Sequence, residues 1–399
     1  MNQSQYSNMI FYPNCNNSLF VFQNDIFSNL GREILDFEEK VDNNLKSLKL
    51  YREITINKLK EFITDVLKDN YEFEFLFYGS YSTGLSLEIS DIDILIKFKI
   101  KNKNNNNNLN SYQNIETIIS VLEMAFKENK QKLNINQINP IYTASVPVIK
   151  LECNLTDIIP ENIKKELNKS YPFNFNNDIL KLNFDFTFIE VNNIKEKQSI
   201  PSQEIIKYIK DVIKTYPSIR PILLVLKRFM QIKKLNSSFH GGISSYSLFL
   251  LLYAYNLKFE ENNENYNYID YFKMYLGKEL LGFFSFYSNL DFSIYSIDVK
   301  KNNPINMLDK LHRSSILLID PITGLNVAKS TFHIEQIKYL FNDAAMTINN
   351  FCYKNMNNLK NNEDYNILNE LFYSINYNYN NMFIPNESSL LNGHVNIFK

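Results

Sequence analysis

The segment Phe77-Tyr-Gly-Ser-Tyr-Ser-Thr-Gly-Leu-Ser-Leu-Glu-Ile-Ser-Asp-Ile-Asp-Ile-Leu-Ile-Lys97 constrains this chain more than any other stretch of it. From Asp91 to Ile100 the residues alternate, so a strand there puts Ile92, Ile94, Ile96 and Phe98 on one face and Asp91 and Asp93 on the other. Two carboxylates at i and i+2 on one strand face repel each other unless cations lie between them. Hard divalent ions with oxygen ligands answer that need, Mg2+ first and Mn2+ as its substitute. Two such ions can clamp the attacking and leaving oxygens of a phosphoryl transfer, and that clamp needs a third carboxylate. Lys181–Glu190 offers one: Leu182, Phe184, Phe186 and Phe188 share a face, and Asn183, Asp185 and Thr187 share the opposite one. A lone Asp-x-Asp reads equally well as a solvated strand end. The upstream Gly79-Ser80 turn and the downstream Asp185 shift the balance toward a metal site.

Gly79-Ser80 is by itself an ordinary hairpin turn. Beside an acidic strand it acquires a second meaning, because phosphates approach the backbone closely only where a side chain is missing. Exposed N–H groups and the Ser80 hydroxyl would then hold them.

Around this centre the apolar period changes twice. Ile26, Leu30, Ile34, Leu35, Phe37 and Val41 recur at helical spacing between Asp25 and about Asn70, and a second helix is expected over Tyr51–Lys68. Glu72–Tyr78, Asp91–Ile100, Ser145–Cys153 and Lys181–Glu190 read as strands, with a helix over Ser111–Lys130. Beyond Pro201 the strand signal largely vanishes. Glu204–Lys214, Arg220–Leu235, Ser245–Leu257 and His333–Asn349 read as helices, Pro221 falling in a first turn. The expected class is α+β. A mixed-sheet unit of residues 71–195 is flanked by residues 25–70 and 196–375, which pack together as one helical unit. A polar arm (1–24) and a tail (376–399) complete the chain. Asn-rich tracts at Asn102–Asn110 and Asn355–Asn381 read as solvated insertions rather than core.

Composition excludes several classes. The 42 basic and 43 acidic residues leave a net charge of −1, so no global positive field attracts nucleic acid. RNA binding would need a local groove or a partner. Cys15, Cys153 and Cys352 lie far apart and suit neither a zinc site nor a disulfide framework, which favours reduced thiols inside a cell. No signal peptide or membrane span is expected, since the longest apolar run, Ser247 to Leu257, is too short.

The order Gly-Ser, then an Asp-Ile-Asp eleven residues on, then a later strand Asp, resembles the polymerase-beta-like nucleotidyltransferase superfamily. Within it the chain is similar to the noncanonical poly(A) polymerases and terminal uridylyltransferases. The resemblance runs from about Leu30 to Ala345. It is carried by Tyr78-Gly-Ser-Tyr-Ser-Thr-Gly-Leu, Ser90-Asp-Ile-Asp-Ile, Ser145-Val-Pro-Val-Ile-Lys and Phe184-Asp-Phe-Thr-Phe. It continues through Leu224-Val-Leu-Lys-Arg-Phe, Gly241-Gly-Ile-Ser-Ser-Tyr-Ser-Leu and Ile319-Asp-Pro with Asn326-Val-Ala-Lys-Ser.

That resemblance implies a nucleotidyltransferase palm with a mixed sheet and a helical central domain built from segments on both sides of it. It implies that Asp91, Asp93 and Asp185 hold two metal ions, that Gly79 and Ser80 meet the triphosphate of an NTP, and that Asn192 contacts the ribose. Lys227 would reach the triphosphate, although a helix lysine ordinarily snorkels to solvent. A second lysine found in some relatives is here Gln231. Ser245 would touch the triphosphate and Tyr246 would stack on the base, against the plainer readings of a serine N-cap and a core aromatic. Asn326 would lie in the loop facing the base, and Leu325 stands where uridylyl-adding relatives carry histidine and adenylyl-adding ones asparagine. The implied activity is template-independent addition of AMP from ATP to an RNA 3′ end. Alternatives are a poly(U) polymerase, a non-catalytic scaffold of an RNA-processing complex, or a synthase of free signalling oligonucleotides. An RNA-binding or helicase-type partner is implied, no membrane is, and the setting is nucleus or cytoplasm with the nucleus favoured.

Overall fold

The computed structural model describes residues 17–101, 111–143, 146–170, 179–192, 194, 201–259, 269–311, 316–357 and 366–373. Helix α1 runs unbroken over Asn17–Leu67, 51 residues and about 77 Å at 1.5 Å per residue. It holds no proline, and its apolar residues return every three or four positions, so nothing interrupts it. The two separate helices expected over this stretch are one. The expected polar arm gives way to helix from Asn17, residues 1–16 lying outside the described part.

Strands β1 (Tyr71–Tyr78), β2 (Ile92–Ile100), β3 (Ile135–Ile141), β4 (Val148–Asn154) and β5 (Lys181–Glu190) form one sheet in the order β1-β2-β5-β4-β3. Only β2 and β5 run parallel, so the sheet is mixed. Ile92, Ile94, Ile96, Phe98, Ile149, Leu151, Phe184, Phe186 and Phe188 are buried on one face against α1 and helix α3 (Ser111–Glu128). Between β1 and β2 lies a single helical turn, α2 (Gly79–Thr83), and helix α4 (Glu161–Ser170) precedes β5.

Helices α5 (Pro201–Thr215), α6 (Ile219–Ile232), α7 (Ser245–Phe259), α8 (Ile269–Asn289), α9 (Ile334–Asn357) and α10 (Ile367–Tyr373) build a second core. Phe229, Phe283, Phe284 and Phe341 meet there at ring distances of 5.3 to 5.9 Å. Helices α1 and α8 cross closely because each offers a glycine to the other's backbone. A Cβ on Gly31 would lie 1.8 Å from the Lys273 carbonyl, and one on Gly277 would lie 2.3 Å from that of Phe27.

The long helix serves both cores. Ile26, Leu30 and Ile34 belong to the helical one, while Leu48, Ile56, Leu59, Ile63 and Leu67 pack under the sheet. Residues 25–70 therefore do not belong wholly to the helical unit as expected. A small second sheet, β7-β6-β8 (Tyr295–Asp298 for β6, Ile305–Met307 for β7, Leu317–Ile319 for β8), lies where only helices were expected. Its strands are too short to display an alternation. Helix α10 falls inside the Asn355–Asn381 tract, yet Ile367, Leu368, Leu371 and Phe372 are buried. That part of the tract is core. Asn102–Asn110 and the tail 376–399 lie outside the described residues. Among the described residues, no helix is long and apolar enough to cross a membrane.

A buried polar group joins the two cores. Glu88, fully buried in the loop after α2, accepts hydrogen bonds from Arg228 of α6 at 2.6 Å and from Asn44 of α1 at 2.9 Å. Arg52 of α1 donates to the Glu88 carbonyl, and Lys227, next to Arg228, donates to that of Leu85. Breaking a buried ion pair on one side costs roughly 3–5 kcal/mol, because the other charge is left without compensation.

Glu279 of α8, held by Asn256, is another deeply buried carboxyl, and burial pushes it up to about 7. A raised carboxyl favours the protonated fold. Its contribution is complete below the unfolded value of 4.5 and is lost as pH rises towards about 7. Denaturant unfolding is expected to show stability falling between those limits by up to a few kcal/mol, on the order of 3. Glu279→Gln should flatten that dependence. An unchanged pH profile in the variant would refute the assignment.

Candidate active site

The polar face of the sheet carries one row of side chains fixed by strand register. Tyr78 of β1 pairs with Asp93 of β2, Asp93 with Asp185 of β5, and Asp185 with Lys150 of β4. Neighbouring strands lie about 4.8 Å apart, so Asp93 and Asp185 stand side by side. Their neighbours hold them. Lys150 forms an ion pair with Asp185, Asn183 donates to the Asp91 carboxylate, and the Tyr78 hydroxyl lies 3.2 Å from that of Thr187.

Electrostatics record how tight the cluster is. Burial raises the Asp93 carboxyl to about 7, helped by Asp185 and Asp91, while Lys150 and Lys227 pull it back. Asp91 is raised for the same reasons, burial first and Asp185 second. Burial, together with the nearby Asp93 and Asp185 charges, lifts the Tyr78 phenol to about 12. The carboxylates of Asp91, Asp93 and Asp185 offer oxygen donors alone, the chemistry a hard divalent cation takes. Among the described residues, no three acidic, histidine or cysteine side chains already converge as a ligand set, and Asp185 is engaged by Lys150.

Gly79 touches this row directly. Its φ is +64°, and a Cβ there would fall 2.0 Å from Asp93 Oδ2. The glycine is required twice, by its left-handed backbone and by the carboxylate against it. Ser80 follows as the start of the α2 turn; its carbonyl accepts from Leu85 N at 3.1 Å and its hydroxyl from Ser86 at 3.3 Å.

Lys227 does not snorkel. It is buried with its ammonium on the Leu85 carbonyl, and burial lowers it to about 8 against the pull of Asp93 and Asp91. Gln231 accepts from Arg228 at 3.3 Å. Ser244 caps α7 through Ser247 N at 3.0 Å, which leaves Ser245 exposed at the helix start. The Tyr246 ring stacks on Phe249, with centroids 6.2 Å apart. Its hydroxyl donates to Asp320 at 2.9 Å, and burial with that contact raises the phenol. Asp320 also organises its own loop by accepting from Ile322 N and the Thr323 hydroxyl.

Asn192 lies just beyond the C-terminal end of β5. Asn326 spends its side chain within the loop, accepting from Leu318 N and Ala328 N and donating to the Ile316 carbonyl. Leu325, beside it, is 68% exposed. Lys150 and Asn183 were missed as site residues. Lys150 sits in the Ser145–Lys150 motif, and its alternation with buried Ile149 and Leu151 was a usable signal.

Residues 30–179 match the family described as "Poly(A) RNA polymerase, mitochondrial-like, central palm domain". The chain is 27% identical over 175 residues to the poly(A) RNA polymerase gld-4 of Caenorhabditis elegans, which covers 41% of this chain and 19% of that protein. It thus spans about a fifth of the length of this curated relative. Among solved structures it is similar to the polymerase core of TRAMP, an RNA surveillance complex, with a TM-score of 0.58 and 19% identity over 87% of this chain and 95% of that one. A mutant of mtPAP in complex with ATPgammaS gives 0.57 and 14%, covering 88% and 75%. Cid1 in complex with its short product ApU gives 0.53 and 15%, covering 86% and 97%. The chain therefore shares the fold of these polymerase structures, and its residues 30–179 match the palm-domain family model.

Gly79→Ala tests the closest contact in the row. The left-handed backbone alone costs about 1–2 kcal/mol, and displacing the Asp93 carboxylate adds to it. In a denaturant double-mutant cycle, Asp93→Ala should recover only the second part, giving a measurable coupling. Strict additivity would show that the two residues do not press on each other.

Proposed function

We propose that this chain is a template-independent RNA 3′-terminal nucleotidyltransferase that adds AMP from ATP. The observation that supports it best is the register row Asp93–Asp185–Lys150 with Gly79 pressed against it, in a sheet whose strands β1 to β4 fall within the residues matching the poly(A) RNA polymerase palm domain. On this reading Asp91, Asp93 and Asp185 hold two Mg2+ or Mn2+ ions, which when bound supply charge stabilisation for in-line displacement at the α-phosphate. Lys150 keeps Asp185 in the row beforehand. Lys227, already a cation beside the acids, neutralises the triphosphate, and Ser80 and Ser245 donate hydroxyls to it. Tyr246, anchored by Asp320, presents its ring to the base. Residues 71–195 form the palm and the helices after Pro201 the central domain. Asn192 contacts the ribose, and Asn326 holds the loop that faces the base.

Changing Asp93 or Asp185 to Ala should lower addition to a labelled RNA oligonucleotide by several orders of magnitude with the fold intact. Normal extension by Asp185→Ala would overturn the triad.

Base choice follows from Leu325. A pocket discriminates strongly only where the wrong base leaves buried polar groups unpaired, and an exposed leucine supplies none. ATP is favoured by its larger stacking area on Tyr246, with measurable use of UTP. Leu325→His should shift kcat/KM toward UTP. A native enzyme strongly preferring UTP would instead support a poly(U) polymerase, as Cid1 is. A helicase-type or RNA-binding partner is expected to stimulate the chain, as its near-neutral charge gives it little general hold on RNA.

A further inference from the structure

We propose that Phe239 and Phe332 form a stacking strip for the single-stranded RNA whose 3′ end enters the site, a reading that rests on the RNA-tailing function above. Two exposed phenylalanines flank Gly241, Phe332 in space and Phe239 along the chain. Phe332 is 61% exposed, and its ring lies so close over Gly241 that a Cβ there would fall 2.3 Å from it. The Gly241 carbonyl accepts from His333 N at 2.9 Å, which ties the two segments together. Phe239, two residues upstream on the 3-10 turn Ser238–His240, is 75% exposed. Each phenylalanine carries a histidine ring beside it, His240 at 5.1 Å and His333 at 4.7 Å.

The charge around this strip fits phosphate. From Val212 to Phe259 the sequence holds no aspartate or glutamate; of its seven lysines and arginines, Lys227 and Arg228 are buried and Arg220 pairs with Glu38 and Asp42, and the rest add positive charge. Residues 321–334 likewise contain no acid, and the next one, Glu335, is paired with Lys338. Lys234 and Lys329 are exposed within these two segments. Exposed aromatics on a locally basic surface are what a base-stacking, backbone-tracking site consists of. Lysine, by contrast, is depleted from protein–protein interfaces. The strip also adjoins the nucleotide site through the chain itself. Gly241 leads within five residues to Tyr246, and Leu325 leads within seven to Phe332.

The test uses the full chain and a fluorescein-labelled single-stranded RNA oligonucleotide. Fluorescence anisotropy gives its Kd, and extension assays give KM for RNA and for ATP separately. Phe239→Ala and Phe332→Ala should each weaken RNA binding and raise the RNA KM about tenfold, in keeping with the usual worth of one base–aromatic stack. KM for ATP, kcat at saturating RNA and the thermal midpoint should stay unchanged. Phe239→Trp should keep the wild-type Kd. Unchanged RNA affinity in both alanine variants overturns the strip, as does a loss that falls equally on the ATP KM. If the wild-type chain binds RNA through these residues but extends it with no NTP, the strip stands and the polymerase reading fails.

Discussion

Two adjacent side chains of helix α6 decide where the acidic strand begins. Lys227 holds the Leu85 carbonyl and Arg228 holds the Glu88 carboxylate, so the irregular loop between the Gly-Ser turn and Asp91 is clamped to the helical core. The α1 side chains Asn44 and Arg52 close the clamp from the other side. Without it, a loop ending in a cluster of mutually repelling carboxylates would have little reason to keep one conformation. The clamp uses buried charge, which contributes little net stability but penalises any arrangement that separates its members. The palm's register supplies the spacing of Asp93 and Asp185, and the helical core supplies the position of the turn that faces them.

Much of this was legible in the residues. The period-2 pattern of Asp91–Ile100 and Lys181–Glu190 placed three aspartates on polar strand faces, and the structure puts Asp93 and Asp185 in register. What escaped has physical causes. β3 carries Pro140 at the sheet edge and no clean alternation, so edge pairing defines it rather than its own pattern. Helix α8 is buried almost all round in its second half, from Leu280 to Tyr287, which erases the amphipathic period. Glu88 gave no signal, since a single acid in a loop is ordinarily solvated; only its three partners, remote in sequence, make it buried.

The near-neutral total charge conceals a strong local sorting. Acids gather on the palm's polar face, while the long acid-free stretch supplies α6, α7 and the turn between them. Lys227 stands at the boundary of the two, buried and still drawn toward Asp93 and Asp91.

Helix α1 gives this molecule a mechanical property. One continuous rod is embedded in the helical core near Leu30 and in the sheet core near Leu59, with Val41 between them in a small cluster with Leu87 and Leu224. Two bodies threaded on one stiff shaft have no free hinge between them on that side. Any change in the angle between the two cores must bend the shaft itself or twist the cores about it, so the motion open to this chain is torsional rather than jaw-like.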